Sequence, residues 1–297
     1  MLAGRPERCC GLDLEPMRIG FKTSQANVDW PTLRATWELG DTLPVFDSAW
    51  IFDHFVALSD DGGGSHEAFA LMGALAVVTS RLQIGHLVLG NTYRHPALVA
   101  KSGATLDHVA NGRFVLGLGA GWHEAEHEMY GMRLPPIGER ITMLDSAVRL
   151  IKALWREPTG VSLDAPPYRL KDAVCDPAPL TVGGPPIWLG GQGSRGLRIA
   201  AELADGWNQT GDPSTFVAKR DTLLRHCEAF GRDPAEIEIS AQAFLRGGDH
   251  AAMLETAAGL AEAGADHLIL IMPAADGPDG LQMLADRVAT PLRERFA

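Results

Sequence analysis

The sequence predicts an α/β fold, a single (β/α)8 TIM barrel with insertion loops. Two observations carry that reading. From Met17 onward, short apolar or alternating runs take turns with longer amphipathic ones, the pattern left by repeated strand–helix units of a parallel sheet. Eight such units fit within the 297 residues, close to the ~250 residues that a barrel of this kind occupies before insertions. A doubly wound open sheet would show the same alternation, but the repeat count suits the barrel and nothing marks a linker between two domains.

The first strand is MRIGFKT at 17–23, and its helix at 30–42 opens with Pro31 of DWP in the first turn. SAWIFD at 48–53 comes next, then a helix at 66–79 for which Ser65 is the expected cap. LQIGHLVL at 82–89 pairs with a helix at 95–110, and RFVLGLG at 113–119 with one at 139–156. The second half repeats the scheme: strand PIWLG at 186–190 and helix 194–204, DGWNQT at 205–210 and helix 214–230, EIEISAQA at 236–243 and helix 249–263, DHLILIM at 266–272 and helix 278–296. GRDP and GADH place a glycine where the helices 214–230 and 249–263 need one at their C-termini. The segment 157–185 interrupts the rhythm with six prolines and no helical period, so it is read as an insertion. DDGGGSH at 60–66 is a second flexible loop, and both segments lie where a lid over a substrate can form.

Composition narrows the function. The net charge of −11 is spread along the chain, leaving no basic footprint for a nucleic-acid partner. Hydrophobic residues at 46% supply a core, yet no apolar run reaches the ~18 residues of a membrane span, so the expectation is a soluble protein without a membrane partner. The cysteines at 9, 10, 175 and 227 show no C-x-x-C spacing and suit a reducing cytoplasm. Residues 1–16, MLAGRPERCCGLDLEP, lack the apolar centre of a signal peptide and are read as a disordered tail ahead of a folded domain at 17–297.

Two motifs call for a chemical test. HEAEH at 123–127 matches the zinc-hydrolase pattern H-E-x-x-H, with His123 and His127 one turn apart. Its context is wrong: the motif leaves a predicted barrel strand within a few residues, MYGMRLPP ends any helix soon after, and no HxxGxxH extension follows; Asp145 or another carboxylate could complete a site in principle, but no metal is expected. GLGAG at 117–121 resembles a dinucleotide loop, but Trp122 stands where the third glycine of G-x-G-x-x-G belongs. What survives is physical: a strand ending in small residues, through Gly119, Ala120 and Gly121, lets a flat ligand approach the backbone, at the barrel end that carries active sites.

Taken together, GRFVLGLGAGWHEAEHEMYGMRLPPIGERITML at 112–144, FDHF at 52–55, GHLVLGNTYRHPALVAK at 85–101 and PIWLGGQGSRGLRIAAELADGWN at 186–208 resemble the bacterial-luciferase-like superfamily, in particular its deazaflavin-dependent oxidoreductases. The resemblance runs from Met17 almost to the C-terminus. It implies a luciferase-like barrel that holds coenzyme F420, or FMN, at the C-terminal mouth of its strands, and a homodimer.

The resemblance also assigns residues. Asp53 and His54 would be the catalytic pair that meets the coenzyme ring, and an imidazole suits a reaction that moves hydride and proton together. Leu87 and Val88 would be joined by a non-proline cis peptide backing the ring, with Gly90, Asn91 and Thr92 along its edge. Trp122 would border the active site, although several deazaflavin enzymes have an acidic residue at this point. Gly190, Gly191, Gln192 and Gly193 would hold the cofactor phosphate, consistent with glycines ahead of a helix N-terminus. Glu139 and Arg140 are read as an internal ion pair. The expected activity is hydride transfer between F420 and a small organic substrate, whose identity would lie in the loops 60–66 and 157–185. The alternatives are a reduced-FMN-dependent monooxygenase, a zinc hydrolase using HEAEH, and a non-catalytic flavin-binding barrel.

Overall fold

The period of two along the first strand sorts its side chains by size. Ile19 and Phe21 point outward, where the Phe21 ring meets Trp37 and Phe46 at centroid distances of 5.8 and 5.1 Å. Gly20 and Lys22 point into the ring of strands. A computed structural model describes residues 17–58, 63–157 and 159–296. The expected tail at 1–16, with Cys9 and Cys10, and part of the 60–66 loop lie outside the described residues.

Eight parallel strands form the barrel: β1 (Arg18–Thr23), β2 (Ser48–Ile51), β3 (Gln83–His86), β5 (Phe114–Gly119), β8 (Ile187–Gly190), β9 (Gly206–Thr210), β10 (Glu238–Phe244) and β11 (His267–Met272). Pairing of β3 with β5, Ile84 opposite Phe114, closes the ring. The short β4 (Leu89–Gly90) resumes the third strand after a cis Leu87–Val88 peptide and also pairs with β5. Around the ring lie α1 (Trp30–Thr42), α2 (Ala68–Val78), α3 (Pro96–Val109), α5 (Ile137–Arg156), α6 (Ser194–Leu203), α7 (Pro213–Phe230), α8 (His250–Glu262), α9 (Gly277–Leu284) and α10 (Thr290–Arg295), with the six-residue α4 (Glu124–Met129) following β5.

The barrel interior is filled by two tryptophans. Trp50 and Trp188 stack at 4.7 Å between centroids, together with Leu87, Val115 and Ile269. Glycines make room for the rings: a Cβ on Gly85 would come within 2.7 Å of Trp50, and one on Gly206 within 2.3 Å of Trp188. Toward the N-terminal ends of the strands, Trp50 Nε1 donates to Ser48 Oγ at 2.8 Å, and Ser48 in turn donates to His267 Nε2 at 2.8 Å. His267 Nδ1 donates to Glu238 at 2.8 Å, and Arg18 links Glu238 at 2.8 Å to Gln83 at 2.8 Å. Burial lowers the pKa of the His267 imidazole.

Three local expectations are corrected. The α2 cap is Glu67, whose carboxylate accepts from Ala70 N at 2.7 Å, while Ser65 lies in an isolated bridge with Ala26. The C-terminal helix is not continuous: a π turn at 285–289 separates α9 from α10, next to Pro291, which has no N–H for the carbonyl four residues back. The proline-rich insertion contains an antiparallel hairpin, β6 (Val161–Ala165) and β7 (Tyr168–Ala173). It is fastened to the outer helices: Thr181 N donates to Asp107 at 2.6 Å, and His108 Nε2 donates to Ala178 O at 2.7 Å. Cys175 and Cys227 are free thiols, and no described helix is long and apolar enough to cross a membrane.

The packing of glycine against tryptophan sets the first test. Gly206→Ala forces a methyl onto the Trp188 ring and is expected to destabilise the barrel by about 1–3 kcal/mol in urea denaturation. Gly73→Ala in α2, where the nearest atom lies at 3.9 Å, is expected to be neutral or stabilising by up to about 1 kcal/mol. Equal effects at the two positions would refute this account of the interior.

Candidate functional site

Above the tryptophan plug a cavity of about 970 Å³ opens at the C-terminal ends of the strands. Its wall is built from the ends of β1, β2, β5, β8, β9 and β10, the Leu87–Gly90 segment and the starts of α5 and α6.

His54, just past β2, is the best-positioned titratable group on this wall. Its Nδ1 lies 2.8 Å from Glu126 Oε2 of α4. The buried Glu126 carboxylate also accepts from Val56 N at 3.1 Å and, at short range, from Phe55 N and the Tyr93 hydroxyl. Burial opposes its charge, but the bonds from Tyr93, His54 and Phe55 prevail and hold Glu126 below the usual carboxylate range. Burial and Glu126 together push the Tyr93 phenol up, so it remains a donor. An ionised carboxylate only accepts, which places the His54 proton on Nδ1 and leaves the Nε2 lone pair without a partner among the described residues. The ring is held edge-on by Trp122 at 5.6 Å and His123 at 5.8 Å.

Asp53 lines the same wall, but its carboxylate is engaged. Arg94 chelates it at 2.6 and 3.0 Å, and Gly90 N donates at 3.0 Å. Burial raises the Asp53 carboxyl against the pull of Arg94, and Arg94 also reaches Glu67. The pair ties β2 to the segment after β4.

Leu87 and Val88 form part of the wall, with Val88 seated among glycines: a Cβ on Gly119 or Gly190 would come within 2.7 or 3.2 Å of it. Below them Lys22 donates to Leu87 O at 2.8 Å and Gln242 Oε1 at 3.3 Å. Burial lowers the Lys22 ammonium to about 8. Opposite, Gly193 caps α6 without a side-chain bond, Gly191 has φ +131°, and a Cβ on Gly191, Gly193 or Gly196 would meet nothing within 4 Å. The backbone donors at this helix start therefore face open space beside Arg195, an arrangement suited to a phosphate.

Gly90, Gly119, Ala120, Gly121, Trp122, Gly190, Gly191, Gln192 and Gly193 line the cavity alongside Asp53, His54, Leu87 and Val88. Asn91 and Thr92 do not: Asn91 is buried with Nδ2 3.4 Å from Tyr168 OH, and Thr92 donates to His127 Nε2 at 2.7 Å behind Gly121. Glu139 and Arg140 do not pair with each other; Glu139 binds Arg133 at 2.7 Å, and Arg140 donates to Gly121 O. No described residue of 60–66 or 157–185 reaches the wall. The HEAEH histidines are occupied: His123 caps α4 by accepting from Glu126 N at 3.2 Å, and His127 Nδ1 donates to His123 O at 2.7 Å. Sequence reading passed over Glu126, Tyr93, Arg94, Lys22 and Arg195. A signal was available for Lys22: the period of two in RIGFKT turns its charge to the same side as Gly20, into the ring of strands.

Lys22 gives a pH test. Between about 8 and 10.5 the folded protein has released this proton while the unfolded chain keeps it, so its contribution to stability rises with pH across that window. Urea denaturation at about pH 7 and about pH 10 is expected to show wild type gaining about 1–3 kcal/mol relative to Lys22→Met. A difference that does not change with pH would contradict the burial of its charge.

Comparison with known proteins places the chain. An F420-dependent glucose-6-phosphate dehydrogenase of Microbacterium testaceum is 29% identical, in an alignment covering 95% of this chain and 99% of that one. The enzyme of the same name from Nakamurella multipartita is 34% identical over 70% of this chain and 60% of its own length. The structure of an F420-dependent secondary alcohol dehydrogenase in complex with an F420–acetone adduct has a TM-score of 0.83 at 20% identity, covering 94% of this chain and 99% of that one, which supports the barrel fold. With residues 39–290 matching the luciferase-like monooxygenase family, on a closed barrel of parallel strands, the chain belongs to that family.

Proposed function

We propose that the protein is an oxidoreductase that moves a hydride between coenzyme F420 and a small organic substrate. The observation that carries the proposal is His54 on the cavity wall, its Nδ1 proton fixed by Glu126 and its Nε2 without a partner among the described residues. The names of the relatives above support F420 rather than FMN. The zinc-hydrolase reading loses its two histidines, since His123 accepts from Glu126 N and His127 is bonded to His123 O and Thr92.

The residues fit the coenzyme. The glycine-lined wall around Val88 offers a flat apolar face, and the uncapped α6 start with Arg195 offers donors for a phosphate. When bound, F420 supplies the carbon that accepts or returns hydride. The rest falls to the chain. Leu87, Val88, Gly119 and Gly190 would back the ring, Gly191 to Gly193 and Arg195 would hold the phosphate, and Lys22 would lie at the floor. In oxidation of an alcohol, the hydroxyl proton passes to His54 Nε2 as the hydride leaves the carbinol carbon. Glu126 is a positioning residue that fixes the tautomer and stabilises the imidazolium. Asp53, committed to Arg94, positions the Gly90 segment rather than exchanging a proton.

Fluorescence titration is expected to show saturable micromolar binding of F420 and no comparable binding of FMN. His54→Ala should retain F420 affinity within about threefold while losing at least about 100-fold in kcat, and Glu126→Gln should lower kcat and shift its pH profile. Preference for reduced FMN, or full turnover by His54→Ala, would refute the proposal. The same reading includes a homodimer in the cytoplasm, in keeping with buried free Cys175 and Cys227. Leu98 and Val109 are exposed apolar residues on one face of α3, a surface that suits a second copy. Sedimentation is expected to give twice the mass of one chain, and Leu98→Asp to shift it toward the monomer; a wild type that stays monomeric at high concentration would rule this out.

A further inference from the structure

The two ends of the cavity differ in chemistry. Around the mouth, Leu58, Trp122, Ile137 and Phe244 come from four separate segments and are 48%, 62%, 59% and 40% exposed, all turned to the same space. Ile141 and Phe52 continue this apolar lining inward. Exposed apolar groups gathered on one concave surface mark a binding site, because isolated ones would be scattered.

The cations lie elsewhere. Among the described wall residues the basic side chains other than His54 are Lys22 and Arg195. Lys22 is on the floor, bonded to Leu87 O and Gln242. Arg195 sits at the α6 start, steadied by Gly138 O at 3.2 Å and Thr142 Oγ1 at 3.1 Å. A phosphate monoester is recognised by several charge-assisted donors. Once the α6 start is given to the coenzyme phosphate, the described residues of the mouth offer no cation to a second one.

We infer that the substrate is an uncharged ketone or secondary alcohol with an apolar body, seated against Trp122, Ile137, Ile141 and Phe244, and not a phosphorylated sugar. This rests on the F420-dependent reading above for the redox step alone. In the reducing direction the carbonyl carbon gains a hydride from the reduced deazaflavin, and the carbonyl oxygen gains a proton from Nε2 of the His54 imidazolium. Ketone becomes alcohol, the deazaflavin is oxidised by two electrons, and His54 is reprotonated from solvent.

The test is calorimetric titration of the full chain, with and without F420, using the series butan-2-one to octan-2-one and, separately, glucose 6-phosphate. Affinity is expected to rise about fourfold per added methylene at first, with glucose 6-phosphate binding more weakly than hexan-2-one. Ile137→Asp, at an exposed position, should flatten the series while leaving F420 affinity unchanged. A flat series in the wild type, or tighter binding of glucose 6-phosphate, overturns the inference. Failure of F420 to bind while the ketone series still climbs overturns the F420 reading and upholds the apolar site.

Discussion

The stack of Trp50 on Trp188 is the constraint on which the rest of the structure depends. Two indoles cannot share the inside of an eight-stranded ring unless the strands facing them give up side-chain volume, which Gly85 and Gly206 do. With the interior filled by these rings, the cavity lies above them, at the C-terminal mouth. Leu87, which belongs to the same inner cluster, also reaches the cavity wall, so the plug and the floor of the site are one packed unit.

At the mouth, a single carboxylate organises what the plug leaves open. Glu126, after β5, gathers the backbone of Phe55 and Val56 and the His54 ring, which follow β2, and the Tyr93 hydroxyl, which follows β4. Asp53 and Arg94 make a second tie across the same loops. These bonds leave His54 little freedom and fix the nitrogen that faces the cavity. Preorganisation of this kind is what proton transfer needs, because the geometry is in place before the substrate arrives.

The barrel was legible because its signals are local. Period-two runs, a proline at the start of α1 and glycines after α7 and α8 each act within a few residues. The 161–173 hairpin escaped because prolines and loop residues hid two short alternating runs. The site was legible in outline: the small residues at 119–121 and 190–193 announced where a backbone could be approached. Its electrostatics were not, since Glu126 meets a histidine 72 positions away and no periodicity encodes that distance. HEAEH drew notice to its histidines for zinc, while the residue that matters to His54 is its second glutamate. Arg140 was misassigned for the same reason: its neighbour Glu139 was the obvious partner in the sequence, yet in the fold the Gly121 carbonyl is nearer.

The clasp of Ser48, His267 and Glu238 beneath the plug has the composition of a hydrolytic triad, and its bond lengths would satisfy any geometric search for one. His54, Glu126 and Tyr93 above the plug use the same vocabulary of imidazole, carboxylate and hydroxyl. Access separates the two. Ser48 and His267 are fully buried, with no room for a molecule to meet them, whereas His54 borders a cavity. One set is therefore sealed in the core and the other borders a space that a ligand can enter, with the paired indoles as the partition between them. Loops around the mouth are free to diverge toward new ligands without disturbing the bonds that hold the lower rim shut.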